Sequence, residues 1–304
     1  MSERQRANDQ HLRNGGGMST RGIALITGAT SGIGLASVTA LAADGWRVVA
    51  TARAPGRAAA LTELAAATDS VETRPLDVTI PESVTQCVQS VLADHGCIDL
   101  LLNNAGAGHR GTLEQLDDAE LRGALELNFL GVARVTRAVI PGMRTRRAGR
   151  IVTVTSSNGV IALPFSDTYN ASKFAVEGLL EGLAPVLATF GVFVSILEPG
   201  PVRTAFLRNA GGRTGEIDGT DPYAELLSRY NATMAGLLGG GQTPESVAEV
   251  IAGIARDPRP HLRYQSSPAA TALAGRKLVD PTGDSIVAAT TDFLRHGPDG
   301  VRAG

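Results

Sequence analysis

Two residues that can move a proton, Tyr169 and Lys173, stand four positions apart in the stretch Tyr-Asn-Ala-Ser-Lys. Residues four apart share one face of a helix, so the phenol and the ammonium can point into one pocket. A free phenol titrates near pH ~10, which is too high for proton exchange near neutrality. Because a cation beside a phenol favours the phenolate, we expect Lys173 to lower the pKa of Tyr169.

A serine hydroxyl is predicted to reach the same pocket. Ser156 ends a β-branched run that begins at Gly149, and it lies thirteen positions before Tyr169. A strand that ends beside the helix would deliver the hydroxyl next to the phenol. Together these groups indicate proton transfer to or from an oxygen, as in carbonyl reduction or alcohol oxidation.

The elements that must position these residues follow an alternating pattern. Short β-branched runs alternate with longer helical stretches rich in alanine and leucine, which predicts an α/β fold. We expect a single doubly wound Rossmann-type parallel sheet with helices on both faces. The predicted strands lie at about 22–27, 47–52, 71–75, 98–103, 150–156 and 192–197. The predicted helices lie at about 33–44, 56–66, 81–94, 117–143, 168–190 and 243–256.

Composition and charge limit the classes of protein to which the chain can belong. The 304 residues are 43% hydrophobic and 19% charged, which is ordinary for a globular chain with a sizeable core. A net charge of −2 argues against a nucleic-acid partner. Cys87 and Cys97 show neither a disulfide framework nor metal-ligand spacing. No apolar run approaches the ~20 residues of a membrane span, and no hydrophobic signal core is present, so we expect a cytoplasmic protein.

Glycines mark the ends of the predicted domain. Residues 1–19 are polar and glycine-rich, which predicts a disordered tail before one catalytic domain at 20–304. The segment 205–242 breaks the strand–helix alternation and is flanked by glycines, with a helical piece near 222–236. Such an insertion is typical of a lid or specificity loop, and a flexible surface loop without such a role is the alternative. A short extended segment is expected at 261–265.

A glycine-rich turn follows the first predicted strand and opens the first helix. Glycines there permit a tight turn and let the backbone approach a pyrophosphate at the positive end of the helix. Its position in an alternating chain makes it a predicted dinucleotide site. The turn reads Thr27-Gly-Ala-Thr-Ser-Gly-Ile-Gly34, and the predicted cofactor contacts in it are Gly28, Ser31, Gly32, Ile33 and Gly34.

The end of the second strand bears on which dinucleotide binds. NAD-binding sites usually place an acid there for the ribose 2′-hydroxyl, whereas this chain reads Thr51-Ala-Arg53 without a carboxylate nearby. A guanidinium can instead pair with a 2′-phosphate through forked hydrogen bonds. The sequence therefore favours NADP(H), with a solvated surface arginine as the alternative for Arg53 and, more readily, for Arg57.

Five fragments, taken in order, resemble the short-chain dehydrogenase/reductase family. They are the glycine turn, Asn103-Asn-Ala-Gly106, Ser156, the Tyr169–Lys173 stretch and Pro199-Gly200. Each fragment alone is modest evidence, but the ordered set is highly specific and covers about residues 20–205. The stretches 163–178 and 198–206 are more closely similar to the group of type 1 estradiol 17β-dehydrogenase and retinol dehydrogenases, and 243–250 and 262–264 extend that similarity.

The resemblance implies a role for each matching residue. Tyr169 would be the general acid/base, and Lys173 would lower the pKa of Tyr169 and hold the nicotinamide ribose. Ser156 would polarise the substrate carbonyl, and the spacing favours it over Ser157 for this role. Asn128 would support a water-linked proton relay to Lys173, with a satisfied helix polar group as the alternative. Asp77 would contact adenine. The other cofactor positions implied are Asn104, Ala105, Gly106, Pro199, Gly200, Val202 and Thr204, with loop-stabilising hydrogen bonds as the alternative for Asn103 and Asn104.

The implied function is NADPH-dependent hydride transfer to or from a bulky hydrophobic carbonyl or alcohol, steroid-, retinoid- or polyketide-like. Steroid-specific members of the family place a histidine in the lid, and 205–242 contain none. Leucines and a methionine there form either an apolar pocket or helix core: Leu207, Leu226, Leu227, Met234 and Leu237.

Two alternative functions stay open. The first is oxidation of a polar or carrier-linked alcohol, which Arg208, Arg213 and Arg229 would suit. The second is a non-catalytic NADPH-sensing protein, against which the complete serine–tyrosine–lysine set argues. The resemblance also implies a homodimer or homotetramer that pairs through the helices at 117–143 and 168–190.

Overall fold

The computed structural model describes residues 20–204, 206, 211–212, 221–277 and 279, with the backbone alone for 212 and 237–239. A seven-stranded sheet lies at its centre, and all of the strand pairs in it are parallel. Its strands are β1 Ile23–Ile26, β2 Arg47–Ala52, β3 Val71–Pro75, β4 Leu100–Asn103, β6 Gly149–Val154, β7 Val192–Glu198 and β9 Arg263–Gln265. A separate parallel pair joins β5 His109–Arg110 to β8 Gly211–Gly212.

The helices are α1 Gly32–Ala43, α2 Ala59–Ala67, α3 Pro81–His95, α4 Asp118–Leu125, α5 Gly131–Arg146, α6 Asp167–Ala188, α7 Ala224–Gly239, α8 Pro244–Arg256 and α9 Pro268–Ala274. Short 3₁₀ turns occupy Pro55–Arg57, Leu113–Gln115 and Ser157–Gly159. A π-helical segment, Glu126–Leu130, joins α4 to α5. Single π turns inside helices often mark functional sites.

The strand order creates a crevice at one edge of the sheet. The order is β3-β2-β1-β4-β6-β7-β9, so β1 pairs with β2 on one side and with β4 on the other. The connections that leave β1 and β4 therefore run in opposite directions from their carboxyl ends. In open α/β sheets, ligands bind in the crevice at this switch point.

Helices cover both faces of the sheet because its strands are apolar on both sides. On one face, residues of α3, α5 and α6, such as Val88, Val135 and Leu180, pack against the sheet. On the other, Val38 of α1 and Ile251 of α8 do the same. The doubly wound architecture predicted from the strand–helix alternation is confirmed.

The six predicted strands are all present, and the segment expected to be extended at 261–265 forms the seventh strand, β9. The helix predicted at 117–143 is instead two helices with the π segment between them. The pair β5–β8 and helix α9 were not predicted. Two-residue strands carry no periodicity, and seven residues of α9 span less than two turns, so neither leaves a clear pattern.

The predicted lid segment, 205–242, contributes β8 and α7. Leu227 and Tyr230 of α7 are buried against Phe165, with Leu226 and Met234 packed around them. These α7 residues therefore form a local core, one of the two outcomes expected for them. The predicted tail at 1–19, together with Leu207, Arg208, Arg213 and the side chain of Leu237, lies outside the residues that the structure describes.

Other expectations concern membranes, metals and thiols. No helix in the described part of the chain has the length and apolar character required to cross a membrane. Within that same part, no cluster of His, Cys, Asp and Glu could hold a metal ion. Cys87 and Cys97 are both free thiols. Burial raises the pKa of Cys87 to about 11, so that thiol stays protonated at neutral pH.

The close packing of the glycine turn gives a first prediction. A Cβ on Gly34 would lie 2.2 Å from the Gly28 carbonyl oxygen, and no rotamer relieves a clash with backbone. Gly34→Ala should therefore lower the free energy of unfolding by about 2 kcal/mol or more, as measured by urea denaturation.

The matched control is Gly123→Ala, in the middle of α4. A Cβ there meets nothing within 4 Å, so the variant should gain up to about 1 kcal/mol from helix propensity. Equal stability of the two variants would show that the turn relaxes freely around Gly34.

Candidate active site

The glycine turn packs tightly into the crevice between β1 and β4. Gly28 has a positive φ of 69°, and a Cβ on it would lie 2.8 Å from the Ala105 Cα. Ser31 caps α1 in an extended conformation without a side-chain capping bond, and its residue is exposed. The first turn of α1 therefore offers backbone N–H groups and a free hydroxyl, which fits a pyrophosphate.

Asn104 fastens the glycine turn to the loop after β4. Its Nδ2 donates to the carbonyl oxygens of Thr27 (3.1 Å) and Gly28 (2.9 Å). The backbone N–H groups of Asn104 and Ala105 both donate to Thr27 Oγ1 at 3.0 Å. The Asn104 side chain thus makes loop-stabilising hydrogen bonds, which was the alternative to direct contact with the cofactor. By these bonds it holds the glycine turn, which forms part of the crevice wall.

Asn103, the last residue of β4, is buried away from the crevice surface. Its Nδ2 donates to Thr136 Oγ1 at 3.0 Å and to Thr153 Oγ1 at 3.2 Å. These bonds tie the end of β4 to α5 and β6. The alternative of a structural hydrogen bonder therefore describes Asn103 as well.

Arg53 and Asp77 follow the carboxyl ends of β2 and β3. Burial alone would raise the pKa of Asp77, but hydrogen bonds from Thr79 Oγ1 (2.6 Å) and N (2.9 Å), with the charge of Arg53, lower it. Arg53 is exposed, and the two residues interact electrostatically. An exposed cation next to a hydrogen-bonded carboxylate suits the adenosine end of a nucleotide that carries a 2′-phosphate.

The three predicted proton-transfer residues meet at the carboxyl end of β6. Ser156 follows β6, while Tyr169 and Lys173 lie on one face of α6. A hydrogen bond joins the side chains of Ser156 and Tyr169, and Ser156 Oγ accepts from Asn158 N at 3.1 Å. The competing Ser157 is buried in the 3₁₀ turn, where its N–H donates to the Pro199 carbonyl at 2.9 Å.

The pKa of the Tyr169 phenol lies above that of a free phenol. The Tyr169 ring is partly exposed, yet burial of the hydroxyl raises the pKa of Tyr169 to about 12, and the hydrogen bond to Ser156 opposes that shift. The expectation that the pKa of Tyr169 lies below that of a free phenol was therefore wrong. With the groups of the protein alone, the pKa is raised. Burial disfavours the phenolate more strongly than the neighbouring groups favour it.

The position of Lys173 explains this result. Lys173 is 6% exposed, and its Nζ donates to the Val154 carbonyl at 3.1 Å, 5.7 Å from the centre of the Tyr169 ring. Burial lowers the pKa of Lys173 to about 8, and the charge of Glu177 acts in the opposite direction. The ammonium is thus directed at a backbone carbonyl and lies beside the phenol ring.

Asn128 lies in the π segment, close to Lys173. Its Oδ1 accepts from Ala107 N at 2.9 Å, while its Nδ2 donates to the Ala107 carbonyl at 2.9 Å and to Ser172 Oγ at 3.2 Å. A Cβ on Gly106 would lie 3.0 Å from Asn128 Oδ1 and 3.8 Å from Lys173 Nζ. The side chain is a satisfied polar group that joins the β4 loop to α6, and the proton relay stays a prediction.

The loop after β7 completes the crevice wall. Pro199 is next to the proton-transfer residues through its bond from Ser157, and Gly200 follows it. A Cβ on Gly32 would lie 3.1 Å from Thr204 Cγ2, so Thr204 packs on the glycine turn. Val202 packs against the core on the α1 side of the sheet. Their contact with a nicotinamide stays a prediction.

Two features of the site were not predicted. The rings of Phe206 and Tyr169 meet edge to face, with 5.7 Å between their centres. Glu177, one turn after Lys173 on α6, is buried and accepts from Thr155 Oγ1 at 2.7 Å. The four-residue spacing from Lys173 placed Glu177 on the same helix face and was a usable signal, whereas nothing in the sequence paired Phe206 with Tyr169.

Sequence comparison gives three findings. Residues 22–213 match the profile of a family described as short chain dehydrogenase. Retinol dehydrogenase 8 of Bos taurus is 38% identical over 90% of this chain and 90% of its own length. The 17-beta-hydroxysteroid dehydrogenase type 1 of Homo sapiens is 39% identical over 88% of this chain and 84% of its own length.

Solved structures give a concordant result. A short-chain dehydrogenase from Streptomyces avermitilis superposes with a TM-score of 0.76 at 33% identity, over 91% of this chain and 97% of that one. A metagenomic short-chain oxidoreductase in complex with NADP superposes with a TM-score of 0.65 at 28% identity, over 81% of this chain and 96% of that one.

Burial of Lys173 predicts a pH-dependent stability. Between about pH 8 and the ordinary value of 10.5, the unfolded chain binds a proton that the folded protein has lost, so raising the pH favours the fold. Across this window the wild type should gain up to about 3 kcal/mol relative to Lys173→Met, which cannot titrate.

The measurement is urea denaturation of both proteins at several pH values in this window. Because the two proteins share all other titrating groups, their difference isolates Lys173. A difference that stays constant with pH would mean that the Lys173 ammonium is solvated in the folded protein.

Proposed function

Because the chain belongs to the short-chain dehydrogenase family, we propose that it is an NADP(H)-dependent oxidoreductase that reduces the carbonyl of a bulky hydrophobic substrate and oxidises the corresponding alcohol. The observation that carries this proposal is the hydrogen bond between the Ser156 and Tyr169 hydroxyls, with Lys173 beside them. These groups lie where the carboxyl end of β6 meets the crevice at β1 and β4.

The residues of the crevice fit a phosphorylated dinucleotide. The first turn of α1 with Ser31 would hold the pyrophosphate, Arg53 the 2′-phosphate and Asp77 the adenine, while Lys173 would hold the nicotinamide ribose. The structural relative that was solved with NADP supports the choice of cofactor. NADPH, when bound, supplies a hydride to the substrate carbonyl carbon.

Tyr169 is suited to supply the proton. Its hydroxyl is protonated at neutral pH, but burial raises the pKa of Tyr169 to about 12 and makes it a weaker acid than a free phenol. Proton donation to a carbonyl oxygen would therefore depend on groups that stabilise the phenolate as it forms. Ser156 would donate a second hydrogen bond to the same oxygen as negative charge develops there. Once Tyr169 has given up its proton, the nearby Lys173 ammonium would stabilise the phenolate until a proton returns.

A hydrophobic substrate is favoured by the surroundings of Tyr169. The rings of Phe206 and Tyr169 meet edge to face, and Phe165, four residues before Tyr169, packs against Leu227 and Tyr230 of α7. The relatives are named for retinol and for hydroxysteroids, which are large and mainly apolar alcohols. Arg229 forms an ion pair with Glu225, so its charge offers weaker support for an anionic or carrier-linked substrate.

The proposal also includes a cytoplasmic homodimer or homotetramer that pairs through the helical segments at 117–143 and 168–190, which rests on the family resemblance.

Measurement of turnover distinguishes an enzyme from an NADPH sensor. Loss of NADPH absorbance with a panel of ketones, and NADP reduction with a panel of alcohols, should both be observed, strongest with large apolar substrates. Tight NADPH binding without turnover on either panel would support a sensor.

Removal of the Tyr169 hydroxyl tests the proton donor. Tyr169→Phe should lower kcat by at least about 100-fold while leaving the Kd for NADPH within about twofold, because proton donation acts in the transition state and not in cofactor binding. Stopped-flow absorbance and NADPH fluorescence titration measure the two quantities.

The matched control is Tyr264→Phe, because the Tyr264 hydroxyl accepts from the His261 N–H at 2.8 Å in the loop before β9. Its kcat should match that of the wild type. If Tyr169→Phe keeps near-normal turnover, another group donates the proton.

Reversal of the charge at Arg53 tests the choice of cofactor. Arg53→Asp should shift the ratio of kcat/KM for NADPH over NADH toward NADH by about 100-fold, since a carboxylate repels the 2′-phosphate and can accept from a ribose 2′-hydroxyl. Steady-state kinetics with both cofactors give the ratio.

Arg57→Asp is the matched control, because Arg57 is also exposed and lies in the next turn of the chain. It should change the ratio by less than about threefold at physiological salt. An unchanged ratio in Arg53→Asp would remove Arg53 from the phosphate site.

A further inference from the structure

A pair of buried carboxylates lies behind the Lys173 ammonium, and the mechanism above does not use them. Glu198, the last residue of β7, is 1% exposed, and Glu177 of α6 is 6% exposed. Buried carboxylates are costly unless they are paired and hydrogen-bonded. A fold that keeps two of them together needs a physical reason.

One guanidinium joins the two carboxylates. Arg263 Nε of β9 donates to Glu177 Oε2 at 3.1 Å and lies 3.3 Å from Glu198 Oε1. Its Nη2 donates to Glu181 Oε2 at 2.6 Å, where the cluster reaches solvent. Gln265 Nε2 donates to Glu198 Oε2 at 2.7 Å. The strands β7 and β9 are thereby fixed to α6.

Glu177 also contacts both sides of the proton-transfer site. Its Oε1 accepts from Thr155 Oγ1, and Thr155 immediately precedes Ser156. A Cβ on Gly159 would lie 3.1 Å from Glu177 Cγ and 3.4 Å from Lys173 Cβ, so the two side chains pack side by side on the turn after β6. Glu177 therefore lies one helical turn from Lys173 and is hydrogen-bonded to the residue that precedes Ser156.

We propose that Glu177 is a positioning residue whose negative charge, stabilised by the ion pair with Arg263, keeps the Lys173 ammonium protonated beside Tyr169. This inference rests on the proposed function, because it assigns Glu177 a role through Lys173 and Tyr169. A carboxylate one helical turn away from a buried ammonium offsets part of the cost of burying it.

The charges that act on these groups support the direction of the effect. Burial lowers the pKa of Lys173 to about 8, and Glu177 opposes that shift. Burial raises the pKa of Glu177, and so does the charge of Glu198, whereas Thr155 and Arg263 lower it. Lys277, after α9, also interacts with both carboxylates. Burial and the charge of Glu177 therefore act on the pKa of Lys173 in opposite directions.

Glu177→Gln is the direct test, because it removes the charge and keeps the size of the side chain. Loss of the carboxylate should move the alkaline limb of the kcat/KM profile for NADPH-dependent carbonyl reduction to lower pH by about one unit. A role confined to holding β9 against α6 would lower stability or kcat without moving this limb.

Two further variants provide controls. Glu181→Gln also removes a hydrogen bond from Arg263, but the Glu181 side chain is 62% exposed and lies at the solvent end of the cluster. The alkaline limb of this variant should therefore lie at the same pH as that of the wild type. Glu177→Asp keeps the charge and should restore most of the wild-type profile. Thermal unfolding monitors whether each variant folds.

Arg263→Gln tests the same idea through the cation that pairs with Glu177 and decides the matter if Glu177→Gln fails to fold. Because Arg263 favours the ionised form of Glu177, its loss should leave less negative charge beside Lys173 and move the alkaline limb to lower pH. A limb that stays in place or moves to higher pH in this variant, or an unmoved limb in folded Glu177→Gln, overturns the inference.

Tyr169→Phe and Lys173→Met assayed in parallel separate the two proposals. If both lose turnover while Glu177→Gln keeps the wild-type limb, the role of Glu177 is wrong and the proposed function stands. If Tyr169→Phe and Lys173→Met keep turnover, the proposed function itself fails.

Discussion

The cost of burying the Lys173 ammonium governs the arrangement of the whole site. The ammonium has left water almost completely, so the fold must offer it a carbonyl oxygen, from Val154, and a carboxylate, from Glu177. Both partners are rigidly placed, one at the end of a central strand and the other on the same helix. Tyr169 lies beside this buried cation, and Ser156 bonds to Tyr169.

The parallel sheet brings this cation to the cofactor crevice. The carboxyl ends of β1, β4 and β6 lie side by side, so the glycine turn, the Asn104 loop and Ser156 are neighbours although they are far apart in sequence. The turn is so tight that Gly34 cannot carry a Cβ, and Asn104 locks its shape from the adjacent loop. The shape of the crevice therefore follows from packing and hydrogen bonds within the protein.

Local patterns predicted much of this molecule correctly. The β-branched runs marked the six long strands, and the spacing of Ser156, Tyr169 and Lys173 marked residues that the fold does bring together. The pKa of Tyr169 was predicted in the wrong direction. Proximity to a lysine is visible in sequence, but the burial that raises the pKa of the phenol depends on what packs over it.

Residues within one or two turns of each other encode the strand and helix periodicity, the glycine turn, and the shared helix face of Tyr169, Lys173 and Glu177. Which distant groups balance the buried charges depends on the folded arrangement and is not visible in local patterns. Arg263 reaches Glu177 from 86 positions away along the chain, and Phe206 meets Tyr169 from beyond β7. Electrostatic balance in an interior is set by distance in space, and no local pattern encodes that distance.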